Sequence, residues 1–168
     1  MSSKAEVSVS AMQGTWEDRV EWALSSAISA GLVRQEEAAA RRAVDAAAFD
    51  DLCRHMVASV LPTLESCAAK LRARGVNAAA HHLLRNTDDV LPRAFDVGLQ
   101  TEKVDRRGPG ALVITAVEGR EILRVVTQVG PGHFGGDYDE DRRVIDAFDL
   151  SDEVVGDLVA AFVERLFA

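Results

Sequence analysis

The residues of this chain whose types and spacing could do chemistry lie together in one stretch, GPGHFGGDYDED, residues 130–141. Four glycines, a proline, a histidine, two aromatics and four acids fall within those twelve positions. Asp137, Asp139 and Asp141 make a D-x-D-x-D run like the opening of a calcium loop, and His133 offers a nitrogen ligand. A loop of the EF-hand kind also needs glycine at its sixth position and a bidentate glutamate at its twelfth. Counted from Asp137 those positions are Arg142 and Phe148, so the match fails at both, and the Arg142–Arg143 pair opposes a cation. A phosphate cradle fits no better. Such loops aim backbone N–H groups from the start of a helix, usually beside a lysine, whereas these glycines lead into acids.

What remains is a shaped acidic connection between two strands, in which the glycines allow unusual backbone angles and Pro131 stiffens the approach. Connections of this kind often carry recognition. His133, Phe134, Asp137, Tyr138, Asp139, Glu140 and Asp141 are therefore the expected partner contacts, with Asp137, Asp139 and Asp141 as the alternative metal ligands.

Chemistry elsewhere has little support. Cys53 as a nucleophile would need a base, and His55, two residues on, lies on another helical face. His81 and His82 are adjacent, so on a strand they point to opposite faces and do not share a metal. No serine sits in a G-x-S-x-G elbow. Two cysteines, Cys53 and Cys67, give neither a disulfide framework nor a metal-ligand spacing, and read as buried reduced thiols. No catalytic residue and no cofactor is expected.

Charge narrows the partner. The net charge is −8 over 168 residues, and it is unevenly placed. Residues 1–75 carry nine Lys and Arg against ten Asp and Glu, a net of −1, while residues 76–168 carry ten against seventeen, a net of −7. So acidic a half repels phosphate backbones, which excludes nucleic acid as the expected partner and favours a basic protein. No apolar run approaches the length of a membrane span, and the first fourteen residues lack the apolar core of a secretory signal. They read as a flexible tail, 1–14, ahead of a single domain, 15–168, expected in the cytoplasm.

The elements that must position these residues follow from periodicity. Thr15 can cap a helix in which Trp16, Val20, Leu24 and Ile28 recur every four residues, with Gly31 as its expected stop. Trp22 lies about 120° beyond the nearer edge of that stripe; it is expected to meet another part of this chain or, alternatively, a partner, and so is a candidate partner contact. A second, longer helix is expected from about Gln35 to Arg74. Along it Cys53, Val57, Val60, Leu64, Cys67 and Leu71 form a heptad-like seam, widened by Phe49 and Met56, that suits a sheet or a second subunit. These eight are the expected homodimer contacts. Pro62 predicts a kink, and Gly75 a Schellman stop with Val76 touching Leu71.

From Val76 the period changes to two. NAAAHHLLRNTDDVLP, residues 77–92, reads either as a strand near 79–85, the preferred form, or as a short helix. A strand is expected at Phe95–Leu99, and a hairpin about a two-residue Glu118–Gly119 turn. RRVIDAF, from Arg142, reads as a further strand. Ser151 caps a last helix with Asp152 and Glu153 in its first turn and Leu150 stapling to Val155. The expected fold is α+β: a two-layer sandwich in which an antiparallel meander of four to five strands packs against a long kinked helix and a C-terminal helix, with a helical part 15–75 and a sheet part 76–168. In its order of elements the chain is similar to helix–meander–helix modules such as RWD-type interaction domains, without a shared motif residue.

The expected function is a non-enzymatic interaction or adaptor module, of chaperone-like or immunity-like kind, docking a basic partner through its acidic C-terminal half. The alternatives are a metal-dependent hydrolase or lyase built on His133, Asp137, Asp139 and Asp141, and a small-ligand binder with a pocket between helices and sheet.

Overall fold

A computed structural model describes residues 15–85, 92–102, 104, 108–130 and 139–168. Its elements are α1 (Trp16–His55), a π-helical turn (Met56–Val60), α2 (Leu61–Arg72), five strands and α3 (Asp152–Phe167). The strands are β1 (Ala78–Arg85), β2 (Ala94–Thr101), β3 (Gly110–Val117), β4 (Ile122–Val129) and β5 (Asp139–Asp146), with a 3-10 turn at Ala147–Asp149 before α3. Two compact units divide the chain, one ending at Ala43 and one spanning Val44–Ala168, so the division falls inside α1.

The first unit is helical from Trp16. Thr15 caps it reciprocally: the Asp18 N–H donates to Thr15 Oγ1 at 3.3 Å, and the Thr15 N–H donates to Asp18 Oδ2 at 2.8 Å. Gly31 does not end the helix. Strong helix formers follow it and no proline intervenes, so α1 runs on at a cost of about 1 kcal/mol relative to alanine. Among the described residues of this unit none is buried.

The second unit is an α+β sandwich. Its five strands form one antiparallel sheet in the order β1-β2-β3-β4-β5, a pure meander. Alternation sends Val97, Leu99, Leu112, Ile114, Leu123 and Val125 to one face, and all six are at most 1% exposed. Against that face pack Phe49, Met56, Val60, Leu64, Cys67 and Leu71 from the helices before the sheet, and Val155, Leu158, Phe162 and Leu166 from α3. An antiparallel sheet tolerates water on its other face, where polar and apolar side chains mix.

Pro62 acts one turn earlier than a simple kink. It sits in the first turn of α2, where its missing N–H is harmless, and the widened π turn at Met56–Val60 precedes it. A π turn holds more residues than an α turn, so the apolar stripe changes phase there. Met56 is fully buried while Val57, expected in the seam, is 38% exposed, and Cys53 is half-buried. From Val60, the last residue of the turn, through Leu64, Cys67 and Leu71 the buried stripe continues as expected. The stop at Gly75 has the expected form: Gly75 takes φ +80°, its N–H donates to Arg72 O at 3.0 Å, and Val76 N–H donates to Leu71 O at 3.0 Å.

The β3–β4 connection is four residues long, Glu118–Glu121, not two. Arg120 N–H donates to Val117 O at 3.0 Å, and Gly119 has φ +73°. Gly110 serves closeness: a Cβ there would lie 2.8 Å from Leu166 Cδ1 and 3.1 Å from the Phe162 ring, so its absence lets α3 settle on the sheet. Ser151 caps α3, accepting from Val154 N–H at 3.3 Å.

Candidate interaction surfaces

His133, Phe134, Asp137 and Tyr138 lie outside the described residues. The acids that follow are in β5, which starts at Asp139, three residues before the strand expected from sequence. Alternation therefore splits them between two faces. Asp139 and Asp141 face the helices, where Arg165 of α3 lies 3.4 Å from Asp139 and 4.0 Å from Asp141, and Arg143 binds Asp141 at 2.8 Å. Glu140 is on the open face, accepts from Gln128 Nε2 at 2.8 Å and pairs with Arg142. A strand cannot present three successive acids as one surface, and each of these already meets an arginine of its own chain. The same arginines oppose a divalent ion on Asp139 and Asp141.

The stripe expected at a subunit interface is mostly spent inside the chain. Phe49, Met56, Val60, Leu64, Cys67 and Leu71 are at most 8% exposed, covered by the chain's own sheet. Only Val57 and, in part, Cys53 reach the surface. Trp22 is 65% exposed.

Two features went unread in the sequence. The first is the turn that leads into α3. Phe148 is 83% exposed, more than any other large apolar residue described. The Asp146 carboxylate accepts from Phe148 N–H at 2.9 Å, which closes the turn and presents the ring to water. Asp149, Asp152 and Glu153 follow within five residues. Among the described residues none of these four carboxylates has a basic partner. An aromatic ring between aspartates just ahead of a helix cap was the available signal, obscured by reading Phe148 as the end of a strand.

The second is Arg93, at the entrance to β2. Its guanidinium donates to both Glu118 carboxylate oxygens, at 3.0 and 3.2 Å, to Asp50 at 3.0 Å and to Ala46 O at 3.4 Å, and stacks 4.9 Å from the centre of the Phe49 ring. One side chain thus ties the β3–β4 turn to residues 46–50 of α1. The Arg93 hydrogen bonds hold the Glu118 carboxyl below its ordinary range, against the upward pull of its burial. These partners are 25 and 43 residues away, so no local pattern announces them.

The middle of the helix–sheet interface is filled by its core, while at its edge Cys53, Val57, Ala58, His82, Leu83 and Phe95 line an open hollow of about 560 Å³ between helix and sheet. A further open groove of about 940 Å³ lies between α2 and α3. Leu71, Val159, Val163 and Phe167 line it, and Lys70 and Arg74 stand on one bank with Glu164 on the other. The broad apolar face of α3 is shared out in this way: Val155, Leu158, Phe162 and Leu166 meet the core, while Val159 and Val163 border the groove.

The thiols are poorly suited to nucleophilic work. Burial, aided by the charge of Asp50, pushes the Cys53 thiol up to about 11, and burial raises Cys67 as well. Both therefore stay protonated near neutral pH. His81 and His82 do take opposite faces, His81 lying over Gly98 on the open face and His82 within 6.0 Å of the Phe95 ring centre. Among the described residues no three His, Cys, Asp or Glu side chains gather as a metal site, and no helix is long and apolar enough to cross a membrane.

No known protein family, no characterised protein and no solved structure gives a significant match to this chain.

Proposed function

We propose that this protein is a non-enzymatic interaction module that docks a basic partner protein through the turn around Phe148, and that it works as a homodimer. The observation that carries the docking reading is the exposed Phe148 ring set among Asp146, Asp149, Asp152 and Glu153. An apolar anchor inside a charged rim is the usual anatomy of a recognition patch. The sign of that rim, with the net charge of −8, favours Lys- and Arg-rich partners and speeds their approach. This proposal centres the acidic docking surface on residues 146–153. A small acidic chaperone or immunity protein is one concrete form of such a module.

The test begins with capture on immobilised full-length protein from the native cell, followed by mass spectrometry and remeasurement with the purified partner. A basic partner should bind wild type, lose on the order of tenfold or more with Phe148→Ala, and bind more weakly as salt rises. Binding that ignores both Phe148→Ala and salt would overturn the reading.

A further inference from the structure

Taken alone, the first unit leaves Trp16, Val20, Leu24, Ile28 and Leu32 between 49% and 65% exposed. These five recur at every fourth position and so form one continuous ridge along the helix. On either side of its middle run rows of small residues, Ala23, Ala27 and Gly31 on one flank and Ser25 and Ser29 on the other. Among the described residues of its unit nothing lies within 4 Å of where a Cβ of Gly31 would be, so this glycine relieves no crowding there. Residues 22–33, WALSSAISAGLV, carry no charge, and charge resumes at Glu21 on one side and Arg34 on the other.

A tall ridge beside a shallow row, both following the same four-residue step, is self-complementary. The ridge of one such helix fits over the small row of another, with the axes crossing at about 50°. We propose that the first unit is a homodimer contact: two copies cross antiparallel near Ala27 and Ile28, the Leu24–Ile28 ridge of each seated over Ala23, Ala27 and Gly31 of the other. This names the surface behind the homodimer in the function proposed above, and rests on that reading.

Three observations favour a second copy over an unrelated helix. The ridge and the row that receives it are on the same helix, so one twofold axis satisfies both. The antiparallel sense brings Glu21 of each copy toward Arg34 of the other, and the uncharged middle avoids like-charge repulsion where the backbones are closest. The area is also of the right order. Crossed helices diverge before Trp16, so the covered part of the ridge is Val20, Leu24, Ile28 and Leu32, which leave on the order of 400 Å² of side chain wet per copy; covering both copies buries about 800 Å² of ridge, the size of a transient interface. The dimer is accordingly expected to be weak, with a micromolar Kd.

Sedimentation of the full chain over a micromolar concentration range reads the assembly directly. Wild type should pass from the 18.1 kDa monomer to twice that mass. Leu24→Glu should abolish the transition, with helix content retained by circular dichroism. Ala27→Leu is the discriminating variant. It adds apolar surface and suits a helix, so unspecific stickiness would tighten association, whereas a filled row should weaken it on the order of tenfold. A wild type that stays monomeric throughout, a higher oligomer, or an Ala27→Leu dimer as tight as wild type would each overturn the proposal. Phe148→Ala should leave the dimer Kd unchanged. A monomeric wild type that still binds a basic partner through Phe148 would remove this interface and leave the docking reading standing. A dimer without that binding would do the reverse.

Discussion

Residues 16–33 and residues 49–71 are both helical and both carry an apolar stripe, yet one stripe is in water and the other is in the core. Trp16, Leu24 and Ile28 are about 60% exposed, while Met56, Val60 and Leu64 are fully buried. Helix propensity does not separate the two segments. What separates them is the meander that follows in the chain, which offers its apolar face to the second stripe. A stripe therefore states that burial is sought; the partner that provides it has to be found elsewhere.

The largest expected effect tests this contrast directly. Leu64→Ala removes a fully buried side chain and should cost about 3 kcal/mol or more in urea unfolding followed by hydrogen exchange in β2–β4. Leu24→Ala, the same change on the exposed stripe, should cost less than about 0.5 kcal/mol by that measure. Comparable losses would mean the two stripes are not different in kind.

Next comes the side chain that fastens residues 46–50 to the sheet. Arg93→Ala should cost about 2 kcal/mol and speed hydrogen exchange at residues 46–50 more than in the strands. It also carries a pH signature. Because the folded Glu118 carboxyl lies below its ordinary 4.5, its contribution is present above pH 4.5 and is lost as pH falls through the lower folded value. In Glu118→Gln that acid-side loss should shrink, and an unaltered acid limb would remove the salt link from the account.

Gly119→Val should be milder, at about 1 kcal/mol. The nearest neighbour to an added Cβ is Asp45 at 3.8 Å, so only the φ of +73° opposes the substitution. An unchanged melting midpoint would show that the turn relaxes freely. Smallest of all, Asp139→Asn with Asp141→Asn should stay within about 0.5 kcal/mol, because the pairs with Arg165 and Arg143 are partly exposed. Millimolar divalent ions should leave the melting midpoint of wild type where it is. A rise that the double variant abolishes would restore the metal alternative.

Much of the fold was legible because its signals are local. Alternation marked β2 through Phe95, Val97 and Leu99, capping marked Thr15 and Ser151, and Leu71, Gly75 and Val76 spelled out a helix stop. The misreadings share a physical cause. Gly31 weakens a helix without ending one when good formers follow, and Pro62 let the preceding turn widen, which moved Val57 out of the stripe while Met56 stayed in it. The acids 139–141 looked like one surface because their composition was read before their period. Arg93 was invisible, since a charge that bridges 25 and 43 residues leaves no trace at short range. For the proposed docking site the sequence carried the acidic charge but not the turn that presents Phe148.

The raised thiols have a practical consequence. Cys67 is 8% exposed among the core side chains beneath α2, and a protonated, covered sulfur reacts with a disulfide reagent only while its surroundings are open. Its labelling rate in native buffer is then a clock for the opening of residues 44–168, readable in free energy when reclosing outpaces labelling. Cys53, half-buried beside Asp50, should keep a second and faster time.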